Sequence, residues 1–297
     1  MTSASTTSPQ SSQPRHQADE GAHLVPFAKA HLEGAHKLSQ EMAWPYRLED
    51  WEVALQLGRG FVLQDDAGEV IGTAAWWPYG ESHASAGMII VTKAAQGRGY
   101  GARLMDALLA VAHPRTITLN STVEGQALYE RRGFVPVGII EQYQGIPTEH
   151  RDAPPPSLVR AMAASDFEAV MRLDQQATGW ARPATLRRLI ELGEGHVLLQ
   201  GGVPRGYAIC RRFGRGHVIG PVVAENLGDA QALIEAALAR LGNLFVRVDT
   251  SAALQLGPWL ARIGLRQVDK ATTMVLGTPL ASPGPARMFG LANQSFN

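Results

Sequence analysis

The chain has 297 residues, 45% of them hydrophobic, with Lys plus Arg and Asp plus Glu both at 27 and a formal net charge of zero. That length suffices for two domains that each bury a core, and the balanced charge lacks the basic footprint of a nucleic-acid binder. The single cysteine, Cys210, excludes an intramolecular disulfide, and no apolar run is long enough to span a membrane, so a cytoplasmic protein is expected.

Residues 1–22 are rich in Ser, Thr, Gln and Pro, lack the apolar core of a signal peptide, and are expected to form a disordered tail. A first domain is expected over 23–150, supplying two helices, then strands, a long amphipathic helix and a strand-helix-strand unit. Histidines 31 and 36 stand five apart and point to different helix faces, so no metal site is expected. Trp51 shares helical spacing with Leu55 and should face the core, whereas Trp44-Pro45-Tyr46 reads as a turn. Trp76 and Trp77 alternate across a strand, so only one of them should face the core. Trp44, Tyr46 and one of Trp76 or Trp77 are therefore candidate walls of a ligand pocket. Glu81 and His83 follow at a hairpin, where solvated positions are expected.

The apolar stretch Met88 to Val91 then runs into Gln96-Gly97-Arg98-Gly99-Tyr100-Gly101, and a helical pattern starts at Ala102. Three glycines allow a tight turn and close approach of backbone N–H groups, and the helix start adds unpaired donors and a positive dipole end. This is an anion cradle with phosphate as the expected guest. The same residues also satisfy the G-x-G-x-x-(G/A) dinucleotide fingerprint, and Glu124 stands near the spacing of its acidic partner. That fingerprint, however, belongs to the first strand-loop-helix unit of a fold, and here strand and helix patterns precede the loop. Beyond it, Leu104, Met105, Leu108, Leu109 and Ala112 form a buried stripe, Thr116 to Leu119 reads as a strand, and Gly125 to Arg132 as a short helix closing at Gly133-Phe134.

Val91 five residues before Gln96, the glycine loop, and Leu128-Tyr129-Glu130-Arg131-Arg132-Gly133-Phe134 together resemble the GNAT acetyltransferase superfamily, most clearly over residues 24 to 145. Its pattern is V-x-x-x-x-(Q/R)-x-x-G-x-(G/A) followed by L-Y-x-x-x-G-F. The resemblance implies acetyl-CoA as cofactor, with the pyrophosphate on Gln96, Gly97, Arg98, Gly99, Tyr100, Gly101 and Ala102 and the pantetheine along the backbone of Ile89 and Val91 as an added strand. Tyr129 would act as general acid for the departing thiolate, since a phenol of pKa about 10 stays protonated at neutral pH. Many relatives have Asn where Thr122 stands and Ala where Gly125 stands, so Thr122 is a cofactor candidate of altered chemistry. The strand before the loop carries no carboxylate, and no general base is assigned.

Leu57-Gly58-Arg59-Gly60-Phe61-Val62-Leu63 recurs as Leu192-Gly193-Glu194-Gly195-His196-Val197-Leu198, an offset of 192 − 57 = 135 residues, and Gly72 and Gly133 answer to Gly206 and Gly264. Pro154-Pro155-Pro156 places a linker at 151–156, followed by a second domain at 157–279 and a C-terminal tail at 280–297. Met288-Phe289-Gly290-Leu291 gives that tail enough apolar content to dock. The fold expected is α/β (α+β), two tandem GNAT-like domains, each a mixed, mostly antiparallel twisted sheet flanked by helices. In the second, the loop's counterpart Val222 to Asp229 lacks the glycine series and carries Glu225 and Asp229, which repel a pyrophosphate. The counterpart of Tyr129 falls near Trp259-Leu260. One acetyl-CoA site is therefore expected, in the first domain, for direct acetyl transfer to the primary amine of a small molecule by a monomer or homodimer without nucleic-acid or membrane partners. A non-catalytic acyl-CoA binding or sensing module is the alternative.

Overall fold

The computed structural model describes residues 21–148, 158–279 and 282–297. The prolines of the expected linker and nearly all of the expected N-terminal tail lie outside the described residues, and Ala22 already opens a strand.

The first half runs β1 (Ala22–Pro26), α1 (Leu32–Glu41), α2 (Leu48–Leu57), β2 (Arg59–Asp65), β3 (Val70–Tyr79), β4 (His83–Val91), α3 (Tyr100–Ala112), β5 (Thr116–Ser121), α4 (Gln126–Glu130) and β6 (Val135–Gly145). The second repeats this order with β7 (Val159–Ala161), α5 (Phe167–Thr178), α6 (Pro183–Leu192), β8 (Gly193–Gln200), β9 (Val203–Phe213), β10 (Gly216–Ala224), α7 (Leu227–Leu241), β11 (Val246–Ser251), α8 (Gly257–Arg262) and β12 (Arg266–Leu276), and adds β13 (Arg287–Gly290).

The pairings repeat as well. β1, β2, β3 and β4 form an antiparallel ladder, and β4 then lies parallel to β5; β7, β8, β9, β10 and β11 do the same. The last strand of each half leaves its own sheet. β12 pairs with β5 and β6 pairs with β11, while β6 and β12 pair with each other, so among the described residues one continuous thirteen-stranded sheet runs through both halves. Neither half closes without the other.

Helix α3 forms because its apolar residues recur at helical spacing, burying Leu104, Met105, Leu108 and Ala112 against β2, β3 and β4. Each Leu or Met side chain so removed from water contributes roughly 2 kcal/mol before entropy is charged against it. Ala230, Leu233, Ile234 and Ala237 do the same for α7 on the second half's sheet. On the opposite face of the sheet, a core shared by the two halves joins Trp51 and Trp77 to Leu186, Leu189, Tyr207 and Phe296. Cys210 is buried in β9, where burial pushes its thiol up to about 12. Among the described residues no helix is long and apolar enough to cross a membrane.

The segment expected as a C-terminal tail is instead part of the fold. β13 pairs antiparallel with β10, and the residues after it thread between the halves, where Tyr79 Oη donates to the Phe296 carbonyl at 2.5 Å. Arg182 donates to the backbone oxygen of Asn297 and forms a buried ion pair with Asp174 at 2.8 Å.

Candidate active site between β4 and β5

Strands β4 and β5 pair only from His83↔Thr116 to Ala86↔Leu119. Beyond that point β4 bulges against β3, with Met88 at φ +52° and its carbonyl accepting from the Thr73 hydroxyl at 2.7 Å. A bulge bends the strand that carries it, and here it leaves the end of β4 without a partner on the β5 side. The Thr92 N–H donates to the Ile71 carbonyl at 2.9 Å, in register with the pair Gly72↔Val91. Antiparallel alternation therefore turns the amide of Val91 away from β3 and into the gap, and Ile89, within the bulge, has no ladder partner on β3.

A cavity of about 680 Å³ fills this gap, running from Ala86 to Val91 on one wall and Leu119 to Tyr129 on the other. At one end stands the glycine loop. Gly97 and Gly99 have φ of +79° and +82°, and a β-carbon at either would meet nothing within 4 Å, so these glycines serve both the backbone turn and an open space in front of it. Gly99 is the N-cap of α3 and offers no side-chain acceptor, which leaves the N–H groups of the first turn facing outward. The Gln96 side chain donates to the Val91 carbonyl at 3.1 Å and ties the loop to the end of β4. Glu41 holds the same turn from α1, accepting from the Thr92 hydroxyl at 2.9 Å and the Lys93 N–H at 2.8 Å.

At the other end is Tyr129, buried on α4 and packed edge-on against Phe134 with ring centroids 5.9 Å apart. Burial pushes its phenol up to about 12. Arg132 fixes α4 to α3 by a two-pronged contact to Asp106 at 2.6 and 3.0 Å and by bonds to the carbonyls of Ala102 and Leu128. The phenol and the helix start are thereby held in one rigid frame.

Ile89, Val91, Gln96, Gly97, Gly99, Tyr100, Gly101 and Thr122 all line this cavity together with Tyr129. Arg98 and Ala102 do not border it. Arg98 is exposed on the loop, and Ala102 lies within α3, with its carbonyl accepting from Arg132. Lys93 and Asn120 line the cavity without having been expected there. Lys93 stands two residues beyond the end of β4 and three before Gln96, a basic residue close to the expected phosphate loop. Asn120 carries no signal in its local sequence.

A second cavity of about 270 Å³ adjoins the first and shares Trp44, Gly87, Met88, Asn120 and Thr122 with it. Its remaining walls come from the α1–α2 connection through Tyr46, from β6 through Gln142 and Gln144, and from the second half through Arg215, Arg247, Asp269 and Gln294. Trp44 and Tyr46 thus lie at a pocket. Trp76 and Trp77 do not, because both are buried, on opposite faces of β3. Trp76 packs in the core under α3 with the Arg115 guanidinium 5.5 Å above its ring, and Trp77 donates to the Ala54 carbonyl at 2.9 Å. The expectation that only one of the pair faces a core fails because this sheet has a core on each side. Glu81 and His83 lie off both cavities; His83 is buried, stacked on Trp180, and its pKa is lowered by desolvation.

The corresponding gap in the second half is filled. β13 lies along β10 in the register Val222↔Gly290 to Ala224↔Arg287, on the edge that β4 leaves open. The N-terminus of α7 is closed by Asn226, which accepts from the Asp229 N–H at 3.0 Å, and Glu225 is turned to Arg205 at 3.4 Å.

Residues 56–136 match a family model described as an acetyltransferase (GNAT) domain, and residues 170–290 match a second model of the same description. Among curated proteins, the holothin acyltransferase of Pseudoalteromonas sp. is 28% identical over 234 residues, covering 70% of this chain and 79% of that protein. The uncharacterized N-acetyltransferase YitH of Bacillus subtilis is 27% identical over 215 residues, covering 71% and 76%. Among solved structures, a Pyrococcus horikoshii chain assigned as an acetyltransferase superposes with a TM-score of 0.80 at 19% identity, over 97% of this chain and 100% of that one. A tandem GNAT protein from the clavulanic acid biosynthesis pathway gives 0.62 at 16%, over 86% and 98%.

Proposed function

The chain carries two GNAT acetyltransferase domains in tandem, and on that premise we propose that it transfers acetyl from acetyl-CoA directly to the primary amine of a small molecule, at the first domain alone. The observation that carries this reading is the continuity of the site: an open strand edge leads from an uncapped helix start to a buried phenol, and a second pocket opens beside that edge.

The residues present fit a CoA thioester. The N–H groups from Gly97 to Ala102 would hold the pyrophosphate, with Lys93 and Arg98 adding charge, and the free amides of Ile89 and Val91 would pair with the pantetheine. The cofactor supplies an acetyl group activated as a thioester. Free N–H groups on the bulged end of β4 are placed to stabilise charge growing on the acetyl oxygen. The acceptor amine reaches that point through the cavity walled by Trp44, Asn120 and Gln142. Bond formation from the acceptor nitrogen to the acetyl carbon, with cleavage of the carbon–sulfur bond, would release one proton at nitrogen and require one at sulfur.

Tyr129 would donate a hydrogen bond to that sulfur. A phenol raised to about 12 is a weaker acid than a thiol of about 8.5, so handing its proton over outright is uphill by about 3.5 pK units. Tyr129 would therefore serve as a neutral hydrogen-bond donor to the sulfur.

Free CoA released against a panel of primary amines tests the reading. Amine-dependent release that falls sharply in Tyr129→Phe supports it. Tight acetyl-CoA binding without acceptor-dependent turnover would favour a binding or sensing module.

A further inference from the structure

Resting on that reading, we propose that the acceptor carries a carboxylate beside its amine, and that Arg247 and Arg215 of the second domain select it. The second domain is then a specificity element that supplies the acceptor's anchor while holding no cofactor.

Arg247 reaches the acceptor cavity from β11. Its Nε bonds Asp249 at 2.9 and 3.1 Å and its Nη2 at 2.8 Å, while Nη1 makes no bond to any described residue. Asp249 is fully buried behind it and fixes the plane of the guanidinium, which presents a rigid donor to the pocket. Arg215 stands on the β9–β10 turn and borders both this cavity and an outer groove of about 480 Å³ that also touches Trp44 and Tyr46. It is exposed, and no described residue offers it a hydrogen bond or an ion pair.

The cavity wall carries two cations, Arg215 and Arg247, and one carboxylate, Asp269. Asp249 neutralises Arg247 but leaves its Nη1 without a partner among the described residues. A carboxylate on the ligand would give Arg247 Nη1 and Arg215 a partner, and Asp269 is available to an ammonium on the same molecule. A neutral hydrophobic amine would leave Arg247 Nη1 facing apolar surface, which costs free energy.

The test compares α-amino acids with the corresponding amines that lack the carboxylate, and with the α-amides, in the full-length protein. Expected is a kcat/KM at least tenfold higher for the carboxylate members. Arg215→Gln should reduce that ratio five- to tenfold through KM, with kcat within twofold and acetyl-CoA affinity unchanged. Calorimetric titration with CoA present should show the carboxylate members binding and the amides binding at least tenfold more weakly. Arg247→Lys, checked for folding by circular dichroism, keeps the charge but loses the fork and should show the same loss of preference. Neutral amines turned over equally well, or a ratio unchanged in Arg215→Gln, would overturn this inference alone. Acetyl-CoA binding with no turnover of any member would overturn the transferase reading as well.

Discussion

The ring of Tyr129 occupies the space that a side chain on Gly125 would need: a β-carbon there would stand 2.9 Å from the ring Cε2 and 3.0 Å from the Ser121 hydroxyl. Gly125 has φ −79°, so its backbone tolerates any residue and the constraint is purely steric. Gly125→Ala should push the ring out of its place at the cavity wall. The expected outcome is a kcat about tenfold lower, a stability loss of about 1–3 kcal/mol from overpacking, and an acetyl-CoA Kd within twofold. Steady-state kinetics and calorimetry on one preparation check both halves, and an unchanged kcat would show that the ring's position does not matter.

Removing the phenol itself separates donation from packing. Tyr129→Phe keeps the edge contact with Phe134, so folding should hold while kcat falls on the order of 10²–10³-fold, as for other donors aimed at developing charge. Since burial raises this group to about 12, the neutral donor persists across the working range, and no basic limb below pH 11 should belong to it. The linkage has the same sign: the unfolded phenol loses its proton near pH 10 and the folded one near 12, so its effect on stability is absent below 10 and is a loss between 10 and 12. A basic limb near pH 9 that vanishes in the Phe variant would refute this.

Positive φ at the loop gives a binding prediction. Alanine at Gly97 or Gly99 meets no atom but must adopt a left-handed conformation, at roughly 1–2 kcal/mol. Each variant should weaken acetyl-CoA by about tenfold in calorimetric titration while circular dichroism stays unchanged. A full-affinity Gly99→Ala would mean that the loop does not hold the pyrophosphate.

Binding stoichiometry distinguishes the two domains. With β13 along β10 and Asn226 capping α7, one equivalent of acetyl-CoA per chain is expected. Asn226→Ala should cost about 1 kcal/mol of stability through the lost cap and create no second site. Two equivalents in either protein would contradict this arrangement.

The buried pair Asp174–Arg182 is the strongest single test of the joint between the halves, since both side chains are at most 1% exposed. Arg182→Met strands a carboxylate whose remaining partner is the Tyr207 hydroxyl at 2.5 Å and removes the bonds to Phe296 and Asn297. A loss of about 3–5 kcal/mol is expected by denaturant titration. A loss below 1 kcal/mol would show that the C-terminal segment seats without Arg182.

The sequence by itself determined whatever rests on local chemistry. The glycine loop from Gly97 to Gly101, the apolar stripe of α3, the position of Tyr129 behind the loop and the loss of that loop in the second half are properties of short segments. Spacing and residue type express them directly. The 135-residue repeat likewise fixed that the two halves share one order of elements.

Only the tertiary structure decided which strand completes which sheet. β6 and β12 follow equivalent helices, and either could satisfy the edge of either half, so the exchange depends on the geometry of the joint. The acceptor pocket inherits that choice, because Gln144 of β6 comes to lie opposite Arg247 of β11 through the exchanged pairing. The same holds for Trp76 and Trp77: period-2 alternation shows that their side chains oppose each other, but only the packing of helices on both faces shows that both are buried. Pairing partners and second layers are non-local, and no window of neighbouring residues encodes them.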